Sequence, residues 1–447
     1  MKTSVKPRMK HSKFFGLSKK KRILLLALGL SLCSGNVLAA TETEFQTPEY
    51  YASSGLDVIN AASAYAKGYS GKGIILGVCD QPANFLHPEF ASKSFAKMLR
   101  DSWMTGGQPG VYDWSTLDHG THVAGIMAAN RDGIGMHGAA YHAGLAGTPL
   151  WYDFGDNPRG EFDEPFEPYY SHEDIKIINN SWGSDIYFDE FFRNREITLP
   201  NTSNCLKDFG QKLMLYLSDE DIQLLSAAGT AAGRGKLLIF AAGNAGHTTP
   251  AADFLSGWFY DTAKNNLISV TALNNNCDTY THGMSRQADG SISGDWVITD
   301  FSDGAKYAEE HTLAAPGNWI LSTNSDFANS GTNYIRESGT SMAAPFVSGV
   351  AGLVEEAFPY MSGKQIADTL LSTANSNIKP NKNYFVTKQN DNDGAMKSNI
   401  FYFDGRKRTT DETIADVESY LQGLGLEWQN EWDDPRAYYN VPLQAFI

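Results

Sequence analysis

Four short apolar runs set the limits on this fold: Ile74 to Val78, Ile175 to Asn179, Leu237 to Ala241 and Leu267 to Ala272. Each reads as a buried strand, and helical segments separate them. That alternation is the pattern of an α/β protein, a mainly parallel central sheet with helices on both faces. Helices are expected to begin near His119, ahead of Gly229 and at Ser341, with a small Ala-rich one over Leu56 to Tyr69. The 447 residues are 42% hydrophobic, enough to bury a sizeable core in one large domain, with or without an appendage.

The helix at Ser341 is the most informative of these. Met342, Phe346, Val347, Val350 and Val354 recur at helical spacing, so one face is buried. Ser341 then lies at the N-terminus, where free N–H groups and the positive dipole end point outward. A hydroxyl there is either a helix cap or a nucleophile beside an anion site. Pro345, about one turn in, is expected to cost little. Two further segments weigh on the choice. Asp118-His119-Gly120-Thr121-His122-Val123-Ala124-Gly125 sets a histidine between acid and glycine at the start of a small-residue helix. Asp80 ends the first apolar run, on the side of an open α/β sheet where active-site residues collect. The chain order is Asp80, His119, Ser341, the order of the subtilisin triad.

In these motifs the chain resembles the subtilisin-like serine proteases, over roughly Gly55 to Ala374. The His119 segment and Gly339-Thr340-Ser341-Met342-Ala343-Ala344-Pro345 match the family's histidine and serine motifs. Ala241-Ala242-Gly243-Asn244 resembles its oxyanion asparagine motif, and Asn180-Ser181-Trp182-Gly183 the segment that pairs with substrate backbone. Phe301-Ser302-Asp303 and Leu313 to Gly317 are further landmarks in the right order. The departure is at the acid. The family follows its aspartate with Ser/Thr and Gly, and this chain has Gln81-Pro82. Leu86-His87-Pro88-Glu89-Phe90 restores the alignment, and Gln81 is left as an amide donor to the carboxylate.

The resemblance implies a chemistry. His119 would take the proton of Ser341 and return it to the leaving amine. Asp80 would fix the imidazole tautomer. The Asn244 side chain and the Ser341 N–H would hold the oxyanion. Ser181, Trp182 and Gly183 would pair with a protein or peptide substrate as an added strand, with Trp182 either walling the pocket or buried facing away. No cofactor is needed for this chemistry. Many family members bind structural calcium, but no ligand set for it is identifiable. Asp153, Asp156, Glu161, Asp163 and Glu164 lack the alternating ligands and closing Glu of a calcium loop and read as a solvated acidic loop. His122, three residues after His119, has metal-pair spacing without a third ligand and reads as structural.

Residues 1–39 read as a signal peptide, with nine Lys/Arg in Met1 to Arg22, an apolar run of ten residues from Ile23 to Leu32 and a cleavage region at Val37-Leu38-Ala39. That run is too short to be a membrane anchor. The chain is therefore expected to be secreted or held at the cell surface. Cleavage takes the formal charge from −15 to −24, which repels nucleic acid and anionic membrane. Cys79, Cys205 and Cys277 remain, an odd count, so at least one thiol stays free, and a Cys205–Cys277 bond is left open. Residues 40–54 form a short lead, 55–380 the peptidase-like domain and 381–447 a partly irregular extension, with Asn375 to Asn399 polar and Asp411 to Leu424 at helical spacing. Trp151 to Asp174 and Asp185 to Asp208 read as surface insertions near the cleft. The basic leader, the lack of room for a large propeptide and the end at Ile447 resemble the passenger domains of bacterial autotransporter proteases. On that reading an outer-membrane barrel would follow beyond Ile447. The competing expectation is a non-catalytic surface or binding domain that keeps the fold, supported by the Gln81-Pro82 departure alone.

Overall fold

The computed structural model describes residues 40–99, 118–150, 165–183, 217–247, 249–251, 253, 256, 265–273, 285–286, 292–294, 299, 301–305, 308–374, 378–380, 382–390 and 396–404. The chain divides into two units, Met1–Ala40 and Thr41–Ile447, and the second carries the fold. The signal peptide, Cys205, Cys277, the acidic loop at 153–164, the insertion at 185–208 and the helix expected at 411–424 lie outside the described residues.

Seven parallel strands make the central sheet: β1 (Ile75–Asp80), β2 (Ala96–Met98), β3 (Gly144–Pro149), β4 (Ile177–Asn180), β5 (Leu237–Ala241), β6 (Leu267–Leu273) and β9 (Thr312–Pro316), in the order β2-β3-β1-β4-β5-β6-β9. Between β6 and β9 in sequence run the short strands β7 (Ser285–Arg286) and β8 (Ile292–Gly294). The first strand has β3 on one side and β4 on the other, so strand order reverses at β1. The carboxyl ends at such a reversal frame a crevice, because the connections leave in opposite directions.

Side chains alternate along these strands into two apolar layers. Leu76, Val78, Ile177, Leu237, Ile239, Ile268 and Val270 belong to one. Cys79, Ile178, Leu238, Phe240 and Leu267 belong to the other. On the first layer lie α4 (His119–Ala128), α8 (Thr340–Ala357) and α9 (Gly363–Thr373). Against the second lie α5 (Glu167–Tyr170) and α6 (Asp219–Gly233), whose Ala227, Ala228, Ala231 and Ala232 present a flat face to it. The sheet is thus covered on both faces, as the apolar runs predict, and buried on both sides those runs need no polar alternation.

Six further strands are not visible in the sequence pattern. Gly144-Leu-Ala-Gly-Thr-Pro149 is poor in strand-forming residues, yet β3 is fully buried between β1 and β2. A hairpin of β10 (Ile320–Thr323) and β11 (Tyr334–Glu337) leads into α8, with the short helix α7 (Phe327–Ser330) between its strands. Residues 375–399, expected to be irregular, contain β12 (Ile378–Pro380) and most of a hairpin, β13 (Lys382–Asn390) with β14 (Met396–Asp404). The apolar pairs of that hairpin, such as Phe385 opposite Phe401 and Val386 opposite Ile400, sit between polar ends that dilute the signal.

The lead before the sheet is folded onto it. It forms α1 (Glu42–Phe45) and α2 (Pro48–Ala52), and the helix expected over Leu56 to Tyr69 narrows to α3 (Ala61–Ala66). Tyr50 and Tyr65 are buried, and their hydroxyls donate to Leu56 O (2.8 Å) and Ala139 O (2.7 Å). With Tyr141 they surround the buried His137, at ring-centroid distances of 5.3 to 6.0 Å. Burial among these rings pushes His137 down to about 4.

Candidate active site

Asp80 closes β1 with its side chain fully buried, and α4 delivers His119 to it. The close approach depends on Gly120: a Cβ there would lie 1.9 Å from Gln81 O. With no side chain in the way, His119 Nδ1 comes to 2.7 Å from Asp80 Oδ1. A carboxylate only accepts, so Nδ1 carries the proton and Nε2 is left as the basic nitrogen of the neutral ring. The His119 side chain is 27% exposed. Burial pulls the ring down, but the Asp80 charge and hydrogen bond together outweigh it and raise His119 to about 9.

The Gln81-Pro82 departure has a local consequence. The donor from Gln81 is its backbone N–H, 2.7 Å from Asp80 Oδ1, and not its side-chain amide, whose oxygen is buried without a partner. Asp80 Oδ2 is also buried, and no donor reaches it among the described residues. The hydroxyl that the family motif sets beside its aspartate is the kind of donor this oxygen lacks.

Ser341 lies in the first turn of α8, half-buried. Pro345 falls beyond that turn, so its effect differs from the one expected of a first-turn proline. The carbonyl of Ser341, four residues earlier, loses its intrahelical donor. The Ser181 hydroxyl replaces it, donating to Ser341 O at 2.8 Å. In return Ser341 Oγ donates to Ser181 O at 3.0 Å, and not to His119. Two reciprocal hydrogen bonds therefore clasp the end of β4 to the start of α8. Asn179 Nδ2 holds the same Ser181 hydroxyl at 2.8 Å.

Asn244 follows β5 and is exposed. Its Oδ1 accepts from the Thr340 N–H (2.8 Å) and from the Thr340 hydroxyl (3.0 Å). A backbone N–H can only donate, so Oδ1 must face Thr340, and the side-chain NH₂ is turned outward beside Gly339. Thr340 is itself buried and accepts from the Gly243 N–H at 3.1 Å. The turn after Asn244 hangs on the buried Asp303, whose Oδ1 accepts from the N–H groups of Ala245 (3.2 Å) and His247 (2.6 Å).

The substrate-side residues divide. Ser181 spends its hydroxyl on the clasp. Trp182 is 5% exposed, stacked edge-on against Phe240 at 5.4 Å in the second apolar layer, so its ring faces away from solvent. Gly183 is exposed, and a Cβ there would meet Ala251 and Asp253. His122 is fully buried, with Nε2 at 3.2 Å from both Ile320 O and Ile335 O. Cys79 is a buried free thiol, pushed by burial far above its usual range. No group of three or more His, Cys, Asp or Glu side chains that could hold a metal ion occurs among the described residues. No helix among them is long and apolar enough to cross a membrane.

Sequence reading missed three contributors. Thr340 and Asp303 lie inside the motifs with no role legible in the sequence, and Gly120 shows there only as the glycine flanking His119. A glycine directly after a histidine, at a helix start, is the one signal that could have marked a close approach.

The arrangement can bind an anion at the α8 N-terminus, beside a hydroxyl, an outward amide and a carboxylate-paired imidazole. Comparison with known proteins places the chain in a family. The subtilase family model matches residues 71–400. An extracellular serine protease of Serratia marcescens is 33% identical over 358 residues, covering 74% of this chain and 32% of that protein. Another from the same organism is 32% identical over 396 residues, covering 79% and 34%. The major intracellular serine protease of Bacillus subtilis (strain 168) is 28% identical over 305 residues, covering 67% and 74%. The chain spans about a third of the length of the two Serratia proteins. Among solved structures, a cold adapted subtilisin-like serine proteinase aligns at 20% identity and TM-score 0.43, covering 69% of this chain and 84% of that one. With the family model matched across the whole central sheet and all four motif segments inside its bounds, the chain belongs to the subtilase family.

Proposed function

We propose that this chain is a serine endopeptidase. Ser341 is the nucleophile, His119 the general base and then acid, and Asp80 the group that fixes the imidazole. The observation that carries this reading is the 2.7 Å bond from His119 Nδ1 to Asp80, which leaves Nε2 free to take a proton. Ser341 Oγ must first leave the Ser181 carbonyl, a rotation about χ1 that substrate binding would drive by filling the cleft. Attack on a peptide carbonyl forms a tetrahedral intermediate and then an acyl-enzyme, with the proton passing through His119 to the leaving amine. The Asn244 NH₂ and the Ser341 N–H donate to the oxyanion. No cofactor enters these steps. Proteins or peptides are the substrate class, bound along the backbone after β4, and export by residues 1–39 would place the activity outside the cytoplasm.

The rival reading is a binding domain without catalysis, favoured by Asp80 Oδ2, which has no partner among the described residues. A fluorophosphonate probe separates the two. It is expected to label the full chain once, at Ser341, and Ser341→Ala should lose both labelling and casein cleavage while keeping its circular dichroism. A folded chain that takes no label and cuts no casein would establish the rival.

A further inference from the structure

One turn of α4 separates His119 from His122, and the second histidine is incompletely satisfied. Two carbonyls, Ile320 O and Ile335 O, face its Nε2 at 3.2 Å. Carbonyls only accept, so Nε2 carries the proton. Burial, and secondarily the charge of His119, keep the ring neutral by pushing it down to about 3. Nδ1 is then a bare acceptor, buried and without a hydrogen-bond partner among the described residues. Native structures seldom leave such an atom unpaired, because desolvation goes uncompensated. Glu337 Oε2 stands 4.0 Å from it. Glu337 ends β11, just before the helix that carries Ser341, and its side chain is 21% exposed. Burial raises its carboxyl to about 7, against the pull of His119 and with the help of Asp118 and Asp80.

We propose that Glu337 is a positioning residue for His119: it holds one proton that alternates between the His122 side and the His119 side of α4. The proposal rests on His119 being the general base. Below the His119 midpoint, the form with the proton on Glu337 donates its O–H to His122 Nδ1 after a small side-chain rotation and leaves His119 neutral and competent as a base. When the proton is instead on His119, Glu337 is a carboxylate facing the imidazolium. Both forms carry the same total charge, so solvent can exchange one for the other without a net change. The charged and titratable groups facing Glu337 are His119 and His122 of α4, Asp118 at its N-cap, and Asp80 of β1. Arg336, its neighbour on β11, is turned toward Trp319 O and Ser54 Oγ, at 2.7 and 3.3 Å.

The test uses the full chain carrying Ser341→Ala, with ¹⁵N-labelled imidazoles, so that no readout depends on turnover. In that background Glu337→Gln should lower the His119 midpoint by about half a pH unit or more, because the anion favouring the imidazolium is gone. The His122 Nδ1 resonance should respond to pH around the Glu337 titration in the parent. It should stop responding in Glu337→Gln, whose amide donates at every pH, and in Glu337→Leu, which donates at none. In the active chain Glu337→Gln should move the acidic limb of kcat/KM down by the same amount. An unchanged His119 midpoint, or a His122 resonance indifferent to pH in the parent, overturns the proposal. A midpoint that moves while the limb stays put supports the electrostatic link and instead removes His119 as the base.

Discussion

His119 and His137 occupy two regions that treat the same side chain in opposite ways. Around His137 the neighbours are tyrosine rings and a carbonyl, Gly138 O at 2.9 Å, and the ring is held neutral at about 4. Around His119 burial pulls in the same direction, yet the Asp80 carboxylate, with smaller help from Glu337 and Asp118, reverses the outcome to about 9. Burial alone therefore does not set the protonation of a histidine. The partner does, and the Gly120 gap is what admits it.

The two regions also have opposite linkage. His137 binds fewer protons folded than unfolded between its folded value and the ordinary 6.5 or so, so it withdraws stability as pH falls through that window. His119 binds more protons folded. Its contribution is fully present below the ordinary value and is lost as pH rises through about 9.

The largest way to break the contrast is Asp80→Asn, which should make His119 resemble His137. Turnover should fall by about 10⁴, the loss seen in a related triad when the acid becomes an amide and the tautomer is no longer fixed. The acidic limb of kcat/KM, expected near pH 9 in the parent because His119 must be neutral to act, should move down by more than a unit. A pH–rate profile of both proteins checks this. An Asp80→Asn protein with the parent's rate and limb would show that another group pairs with His119.

Asn244→Ala sharpens the contrast from the other side, since it alters the site without touching the histidine. Turnover should drop by roughly 10² to 10³ with little change in KM, because the oxyanion exists in the transition state alone. The acidic limb should stay where it is. A defect confined to KM would make Asn244 a ground-state contact. Asp303→Ala should reproduce part of this loss by releasing the N–H groups of Ala245 and His247, whereas Asp303→Asn, which keeps an acceptor, should recover much of it.

The smallest effect is thermodynamic. His137→Asn should flatten the dependence of stability on pH between about 6.5 and 4 by one proton's worth, about 1.4 kcal/mol per pH unit. Urea melts at two pH values in that window measure it. An unchanged slope would place the buried proton deficit elsewhere.

How much of this was open to sequence reading depended on the range of the cause. β5 was bounded to the residue because Leu237 to Ala241 is apolar throughout and flanked by clear breaks. The ends of β1 and β4 shifted by a residue or two for lack of such breaks. β3 escaped because its small residues are there to fit Met98 and Phe85, which lie far away in sequence: a Cβ on Gly147 would sit 2.4 Å from Met98 Sδ. The motif residues Asp80, His119, Asn244 and Ser341 could be named from local pattern. The role of Ser181 could not, since it answers a proline 164 positions later along the chain. Nor could Glu337, at the end of a strand, whose meaning comes from an orphaned nitrogen on α4.

The clasp between Ser181 and Ser341 has a consequence in time. Asp80 and His119 are 39 residues apart, a span that can close while much of the chain is still unmade. Ser181 and Ser341 are 160 residues apart, and neither half of their paired bond exists until β4 is seated and α8 has packed over it. On the proposed triad, a nascent chain would therefore carry its acid and base long before a positioned nucleophile. Hydrolytic competence would arrive last, as a sign that the sheet had closed, and a half-made molecule would be spared from cutting its own unfolded remainder.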